Sequence, residues 1–130
     1  MKKSAYQYSK RAPVEQRTGP DNFIYDSKTE MERGIQLQLL ERGKVISGLQ
    51  RQVTFPLILQ SDPTVKIMAG EKISVYTPDF VYFDEDGTRV VEDVKGYAFE
   101  GAKIRIRVFE AFYNQKVTIV RKTKRGWVQE

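Results

Sequence analysis

The sequence contains neither cysteine nor histidine. Without cysteine, the chain has no disulfide, thiolate metal site or cysteine nucleophile. Without histidine, it has no Ser-His-Asp triad, no His-ligated zinc and none of the usual bases that work near neutral pH. Any metal ion must therefore be bound through oxygen atoms, which favours hard cations such as Mg2+, with Mn2+ as the alternative.

Long apolar segments are also lacking. No apolar run approaches the roughly 18 residues that a membrane-spanning helix needs, and the basic N-terminus lacks the apolar stretch of a signal peptide. The 130 residues, 40% hydrophobic and 30% charged, fit one soluble globular domain. We therefore expect a cytoplasmic protein without a membrane partner.

The formal net charge is +5, and the charges are unevenly distributed. We expect residues 1–22 to form a basic N-terminal arm and residues 23–130 to form the domain. The basic arm on one side, and basic clusters at 103–107 and 121–125 on the other, flank the acids that lie between Asp79 and Asp93 in the sequence. This distribution suits a polyanion held against a metal site, although a solvated basic surface explains it equally well.

The hydrophobic pattern predicts an α/β domain. Asp26 or Ser27 caps a first helix that ends near Gly43. A second helix is predicted over 102–114, although the first half of that segment also alternates like a strand. Strands are predicted over 45–59 with a break at Pro56, over 73–83, over 88–95 and over 117–122. The order helix, three strands, helix, strand predicts a mixed sheet with helices packed on it.

The turn between the second and third predicted strands sets which residues face each other. A three-residue loop, Glu85-Asp86-Gly87, uses Gly87 in the left-handed conformation that such loops favour. Asp79 then lies opposite Asp93, and Lys95 shares their face of the sheet. A two-residue loop would instead oppose Asp79 to Glu92 and turn Lys95 away.

Two opposed carboxylates repel each other and destabilise a sheet unless a cation neutralises them. Asp79, Asp93 and the Val94 carbonyl could bind a divalent cation through oxygen atoms. Lys95 could orient the attacking water or stabilise developing negative charge. The alternative is a hairpin whose charged side chains are merely solvated.

The residues Pro78-Asp79 and Asp93-Val94-Lys95, with thirteen residues between them, resemble the signature of the PD-(D/E)xK nuclease superfamily. Four segments, 25–43, 52–57, 76–82 and 91–96, also resemble a phage and prophage family of small, poorly characterised nucleases. The resemblance implies a restriction-endonuclease-like core and Mg2+-dependent hydrolysis of DNA during phage DNA processing. Branched DNA such as Holliday junctions is among the substrates it implies.

The resemblance also implies a further catalytic acid on the first helix, at Glu30. A competing hydrophobic face would favour Glu32 instead. On the second helix, we interpret Arg105 and Arg107, with the neighbouring Lys103, as contacts to DNA phosphates; a solvated basic face is the alternative.

Cutting both strands of DNA requires two catalytic sites, and one chain of this length offers one. We therefore expect a homodimer. Two other functions stay open: a nucleic-acid-binding protein that keeps the fold without cutting, and a phage protein that uses its charged surface to bind another protein.

Overall fold

The structure is a computed structural model that describes residues 12–57, 75–96 and 99–130. Two α-helices are found there, α1 (Lys28–Arg42) and α2 (Lys103–Tyr113), with short 3-10 helices at Val14–Arg17 and Phe99–Ala102. The strands are β1 (Ser47–Arg51), β2 (Phe55–Pro56), β3 (Val75–Tyr76), β4 (Phe80–Phe83), β5 (Arg89–Val94), β6 (Val117–Thr123) and β7 (Gly126–Gln129). No helix in these ranges is long and apolar enough to cross a membrane.

Five strands form a mixed sheet in the order β1-β4-β5-β6-β7. Strands β5 and β6 are parallel, and the other neighbours are antiparallel. Strands β2 and β3 form a separate antiparallel pair. The predicted α/β class with a mixed sheet is confirmed. The predicted order of elements is also observed, as α1, β1, β4, β5, α2 and β6.

Helix α1 begins and ends as the capping residues predict. The Ser27 hydroxyl accepts a hydrogen bond from the Glu30 amide at 3.0 Å, and Gly43 follows the last helical residue. Glu30, Gly34 and Leu37 are its buried residues. Gly34 is explained by a close approach, because a Cβ there would lie 2.7 Å from ring carbons of the buried Tyr25. The helix tolerates a poor helix former because a tyrosine packs directly on its backbone.

Three details of the strands differ from the prediction. The first predicted strand breaks at Gln52, which has φ +54°, whereas Pro56 lies within β2. The second is interrupted between Tyr76 and Phe80. Strand β7 was not predicted, because its short segment follows a turn and carries little alternation. Parts of the predicted strands, 58–59 and 73–74, lie outside the described residues.

The hairpin of β4 and β5 has the register that the three-residue loop predicts. Phe80 is opposite Glu92, and the Asp84 amide donates to the Thr88 carbonyl at 2.9 Å. Gly87 has φ +79°, in the left-handed region. The two-residue alternative is therefore wrong for this turn.

One edge of the main sheet gathers several chain segments. Strands β5 and β6 end there, β4 begins there, and β1 ends beside the start of β4 through the pairing of Arg51 with Phe80. We call this the site edge. Two hydrophobic clusters hold the helices on opposite faces of the sheet: Leu37 of α1 packs with Phe80, and Phe109 of α2 packs with Val91.

The described part of the N-terminal arm contacts the domain. Arg17 donates to the Tyr25 carbonyl at 2.7 Å, and Asp21 pairs with Arg51 at 2.8 Å. Residues 1–11 lie outside the described residues, so the division at residue 22 stays a prediction.

Candidate functional site

Asp79 and Asp93 meet at the site edge, where the pairing of β4 with β5 ends. Oδ1 of Asp93 accepts a hydrogen bond from the Asp79 amide at 2.8 Å. Oδ2 of Asp79 accepts one from the Val94 amide at 2.8 Å. Each carboxylate is thus fixed by the backbone of the other strand. The structure brings the two predicted metal-binding acids together, and Val94 lies beside them.

Helix α1 adds a third acid to this pair. The Glu30 side chain is 4% exposed, and its charge interacts with those of Asp79 and Asp93. Gln52 holds it in place, since Nε2 donates to Glu30 Oε2 at 3.1 Å and to Asp26 Oδ2 at 3.3 Å. The position of Glu30 follows from its helix face, which also buries Gly34 and Leu37. We call Glu30, Asp79 and Asp93 the acid cluster.

Glu32 points elsewhere. Its carboxylate accepts a hydrogen bond from Lys122 at the surface, and neither group is deeply buried. Of the two helix acids that the sequence left open, the structure places Glu30 in the acid cluster.

The donors to the acid cluster within the described residues are uncharged. The Tyr76 hydroxyl donates to Asp93 Oδ2, and the other donors are the Gln52 amide group and the backbone N–H groups of Asp79 and Val94. Tyr76 reaches the cluster from β3, where it is 3% exposed. Hydrogen bonds orient these carboxylates, but no lysine or arginine of the described chain forms an ion pair with them.

Burial and mutual repulsion make the acid cluster hard to ionise. The pKa of Asp79 is raised to about 9, first by burial and then by the charges of Asp93 and Glu30. Burial likewise raises the pKa of Asp93 to about 6, against the lowering effect of the Tyr76 hydrogen bond. The pKa of Glu30 is raised to about 7, first by burial and then by Asp26 and Asp93.

Lys95 lies two residues after Asp93, at the end of β5. Its ammonium donates to Glu130 Oε1 at 2.9 Å, and the other Glu130 carboxylate oxygen pairs with Arg121. Lys95 also lines a cavity of about 580 Å3 at the site edge, whose other lining residues are Thr29, Arg121, Lys122, Thr123 and Lys124. The third predicted catalytic residue is therefore at the same edge as the acid cluster, within a basic surface.

The predicted DNA contacts on α2 are at the surface. Lys103 and Arg107 are exposed, Arg105 is half-buried, and Ile106 and Phe109 face the core. The helix confirms the 3.6-residue pattern over the strand alternative. Lys103 is the first residue of α2.

The neighbouring acid Glu92 is on the opposite face of β5. It is fully buried and forms two charge-assisted hydrogen bonds with Arg33, at 2.7 and 2.9 Å. The Tyr82 hydroxyl adds a third at 2.6 Å. Glu92 is thus neutralised within the chain and belongs to the packing of α1 on the sheet.

The acid cluster fits a hard divalent cation by the chemistry of its donors. It offers buried carboxylate oxygens that repel one another, and a cation would relieve that repulsion. Among the described residues, no group of three acids is placed so that all three could hold a metal ion together. Several of their oxygens instead accept the hydrogen bonds given above.

Sequence reasoning gave too little weight to Gln52 and Tyr76. Neither residue is among the site residues that the sequence predicts, yet both donate to the acid cluster. A usable signal was present for Tyr76, because it lies three residues before Asp79 and a buried tyrosine hydroxyl needs a polar partner.

Comparison with known proteins identifies the chain at the level of its family. No curated protein and no solved structure matches it. A family profile described as a protein of unknown function (DUF1064) matches residues 14–126, which include the acid cluster and the basic cavity. The chain therefore belongs to the DUF1064 family.

Proposed function

We propose that this protein is a metal-dependent DNA endonuclease of the PD-(D/E)xK type. The observation that carries the proposal is the acid cluster, in which the buried Glu30 and Asp93 and the half-buried Asp79 interact through their charges, and in which the donors among the described residues are uncharged. A fold seldom keeps such a cluster without a cation, because its charges repel each other in a medium of low polarity. Lys95, at the end of the same strand, completes the pattern that the sequence predicts.

The residues divide the chemistry among them. Asp79, Asp93 and the Val94 carbonyl would hold Mg2+ or Mn2+. The bound ion supplies positive charge that polarises a phosphodiester and acidifies water beside it. Glu30 adds a third carboxylate, which Gln52 orients.

Lys95 acts on the substrate in this proposal. Its ammonium offers three N–H donors to a phosphate oxygen and stabilises the negative charge that develops as the P–O bond breaks. It now donates to Glu130 in the half-exposed surface, so an entering phosphate would take the place of that carboxylate.

The substrate and assembly follow from the same proposal. The proposed substrate is DNA, a polyanion that suits the basic site edge. Branched DNA, which arises during phage DNA processing in the bacterial cytoplasm, is the substrate class to test first. Cutting two strands together would require a homodimer. A monomeric mass by light scattering combined with double-strand cutting would contradict that assembly.

A cleavage assay tests the proposal. A labelled four-way junction, linear duplex and single strand are incubated with Mg2+, Mn2+ or EDTA. We expect cleavage that requires metal. Asp79→Asn and Lys95→Ala should each reduce the cleavage rate at least about a hundredfold, which is the usual effect of losing a group that stabilises transition-state charge. Glu85→Gln and Lys116→Gln, which change exposed residues away from the site, are the matched controls.

The outcomes separate the possible functions. Metal-dependent cutting that survives both site variants would point to another catalytic centre. Binding of DNA without cutting would favour a non-catalytic nucleic-acid-binding protein, and absence of both would favour a protein-binding role.

A further inference from the structure

The basic cavity at the site edge has a chemistry of its own. Its lining contains four basic side chains, Lys95, Arg121, Lys122 and Lys124, and two hydroxyl side chains, Thr29 and Thr123. Most of these residues come from the end of β6 and the turn toward β7, which the sequence-based site did not include. Ammonium, guanidinium and hydroxyl groups around one depression are the donors that bind phosphate oxygens.

Carboxylates of the chain itself form ion pairs with three of these basic side chains. Glu130 bridges Lys95 and Arg121, and Glu32 pairs with Lys122. All three are surface ion pairs, with side chains between 31% and 50% exposed, so solvent weakens them. The lining itself contains four basic side chains and no acidic one, so it is positively charged. Glu130 is thus an anion that a stronger one can displace.

The position of the cavity connects it to the acid cluster. Lys95 lines it at the end of β5, two residues after Asp93, and Thr29 lines it from α1, one residue before Glu30. A strand of DNA that reaches the acid cluster therefore has this basic surface directly beside its path.

We propose that the basic cavity binds the phosphate backbone of the DNA substrate, and that Glu130 competes with the phosphates for Lys95 and Arg121. The inference rests on the proposed function for the identity of its ligand. It assigns the main electrostatic contact to the end of β6, in place of the exposed basic face of α2. Phosphate binding of this kind is salt-dependent, because each contact releases a counterion.

The test is the affinity for a fluorescein-labelled DNA duplex, measured by anisotropy in EDTA at several salt concentrations. The double variant Arg121→Gln/Lys124→Gln should weaken binding about tenfold at low salt and reduce the slope of log K against log salt by about 2. The control Arg42→Gln/Lys116→Gln removes the same charge from exposed residues at the end of α1 and before β6, and it should change affinity less than about threefold.

A gain of binding keeps the test independent of folding. Glu130→Gln removes the competing carboxylate, so it should tighten binding several-fold at low salt and lose that advantage at high salt. A variant that merely unfolded could not bind more tightly. Equal effects of the cavity and control variants, or no gain with Glu130→Gln, would overturn the inference. A larger loss with Lys103→Gln/Arg107→Gln would place the phosphates on α2.

This experiment reads binding and not cleavage. Binding at the cavity without metal-dependent cutting would support the inference and contradict the nuclease. Cutting by a protein whose affinity ignores Arg121 and Lys124 would do the reverse. Failure to bind any DNA at low salt would overturn the inference outright.

Discussion

Glu92 and Asp93, two consecutive residues of β5, are buried acids on opposite faces of the sheet. Their surroundings differ in whether a cation is present. Glu92 meets the Arg33 guanidinium and the Tyr82 hydroxyl. Asp93 meets the Tyr76 hydroxyl, a backbone amide and two further acids of the acid cluster. Arg33 neutralises Glu92, whereas the groups that contact Asp93 within the described residues orient it without supplying a cation. The difference separates an acid that holds the fold together from one suited to receive a cation from outside.

The largest expected effect of a single substitution on the free energy of unfolding comes from removing Arg33, the cation that pairs with Glu92. Arg33→Met would leave a fully buried carboxylate without a partner charge, which costs about 3–5 kcal/mol of the free energy of unfolding. Urea denaturation measures it. The double variant Arg33→Met/Glu92→Met should recover most of the loss, because it removes both charges. A loss below about 1 kcal/mol in the single variant would mean that the pair contributes little.

The next largest expected effect is an increase in the free energy of unfolding when a divalent cation binds at Asp93. Mn2+ at a hundred times its dissociation constant should raise the free energy of unfolding by about 2.7 kcal/mol. Asp93→Asn should abolish that gain, and Glu85→Gln should keep it. The measurement is the denaturation midpoint as a function of metal concentration. A gain that persists in Asp93→Asn would place the metal elsewhere.

The third prediction concerns pH in the absence of metal. The folded-state pKa values of Glu30, Asp79 and Asp93 are about 7, 9 and 6, above their ordinary values of 4.5, 3.8 and 3.8. The folded state therefore binds more protons than the unfolded state between about pH 4 and pH 9. Its stability is greatest below this interval with respect to these groups and falls as pH rises through it.

Denaturation curves between pH 5 and pH 9 measure this fall. Each extra proton bound by the folded state contributes a slope of about 1.4 kcal/mol per pH unit. Asp79→Asn, which removes a titrating group and relieves the repulsion, should flatten the curve. A wild-type stability that rises with pH over this interval would contradict the surroundings given for the acid cluster.

The smallest expected effects on the free energy of unfolding come from removing the two tyrosine hydroxyls that donate to Asp93 and Glu92. Tyr76→Phe removes a donor that favours the charged form of Asp93, so it should cost about 1–2 kcal/mol at pH 8 and about half of that at pH 5. Tyr82→Phe removes one of three donors to Glu92 and should cost about 0.5–1.5 kcal/mol, since Arg33 remains. Denaturation at both pH values checks the pair of variants.

Local signals predicted those parts of the site that depend on local geometry. The capping at Ser27 placed Glu30 one turn into α1, and the turn at Gly87 fixed Asp79 opposite Asp93. Long-range contacts were beyond such signals. Gln52 reaches the acid cluster from a left-handed backbone conformation, and no glycine at that position signals this conformation in the sequence. The contact between Lys95 and Glu130 depends on β7, a strand whose pairing with β6 stabilises a segment of weak pattern.

The turn between Asp84 and Thr88 has a consequence for how this protein can evolve. Adding or deleting one residue there would shift the hairpin register and exchange the faces of Glu92 and Asp93. Arg33 would then meet the shorter aspartate, and the acid cluster would receive the glutamate. Substitutions in this loop are compatible with the fold, because Glu85 and Asp86 are exposed, but its length is not free to drift by one residue.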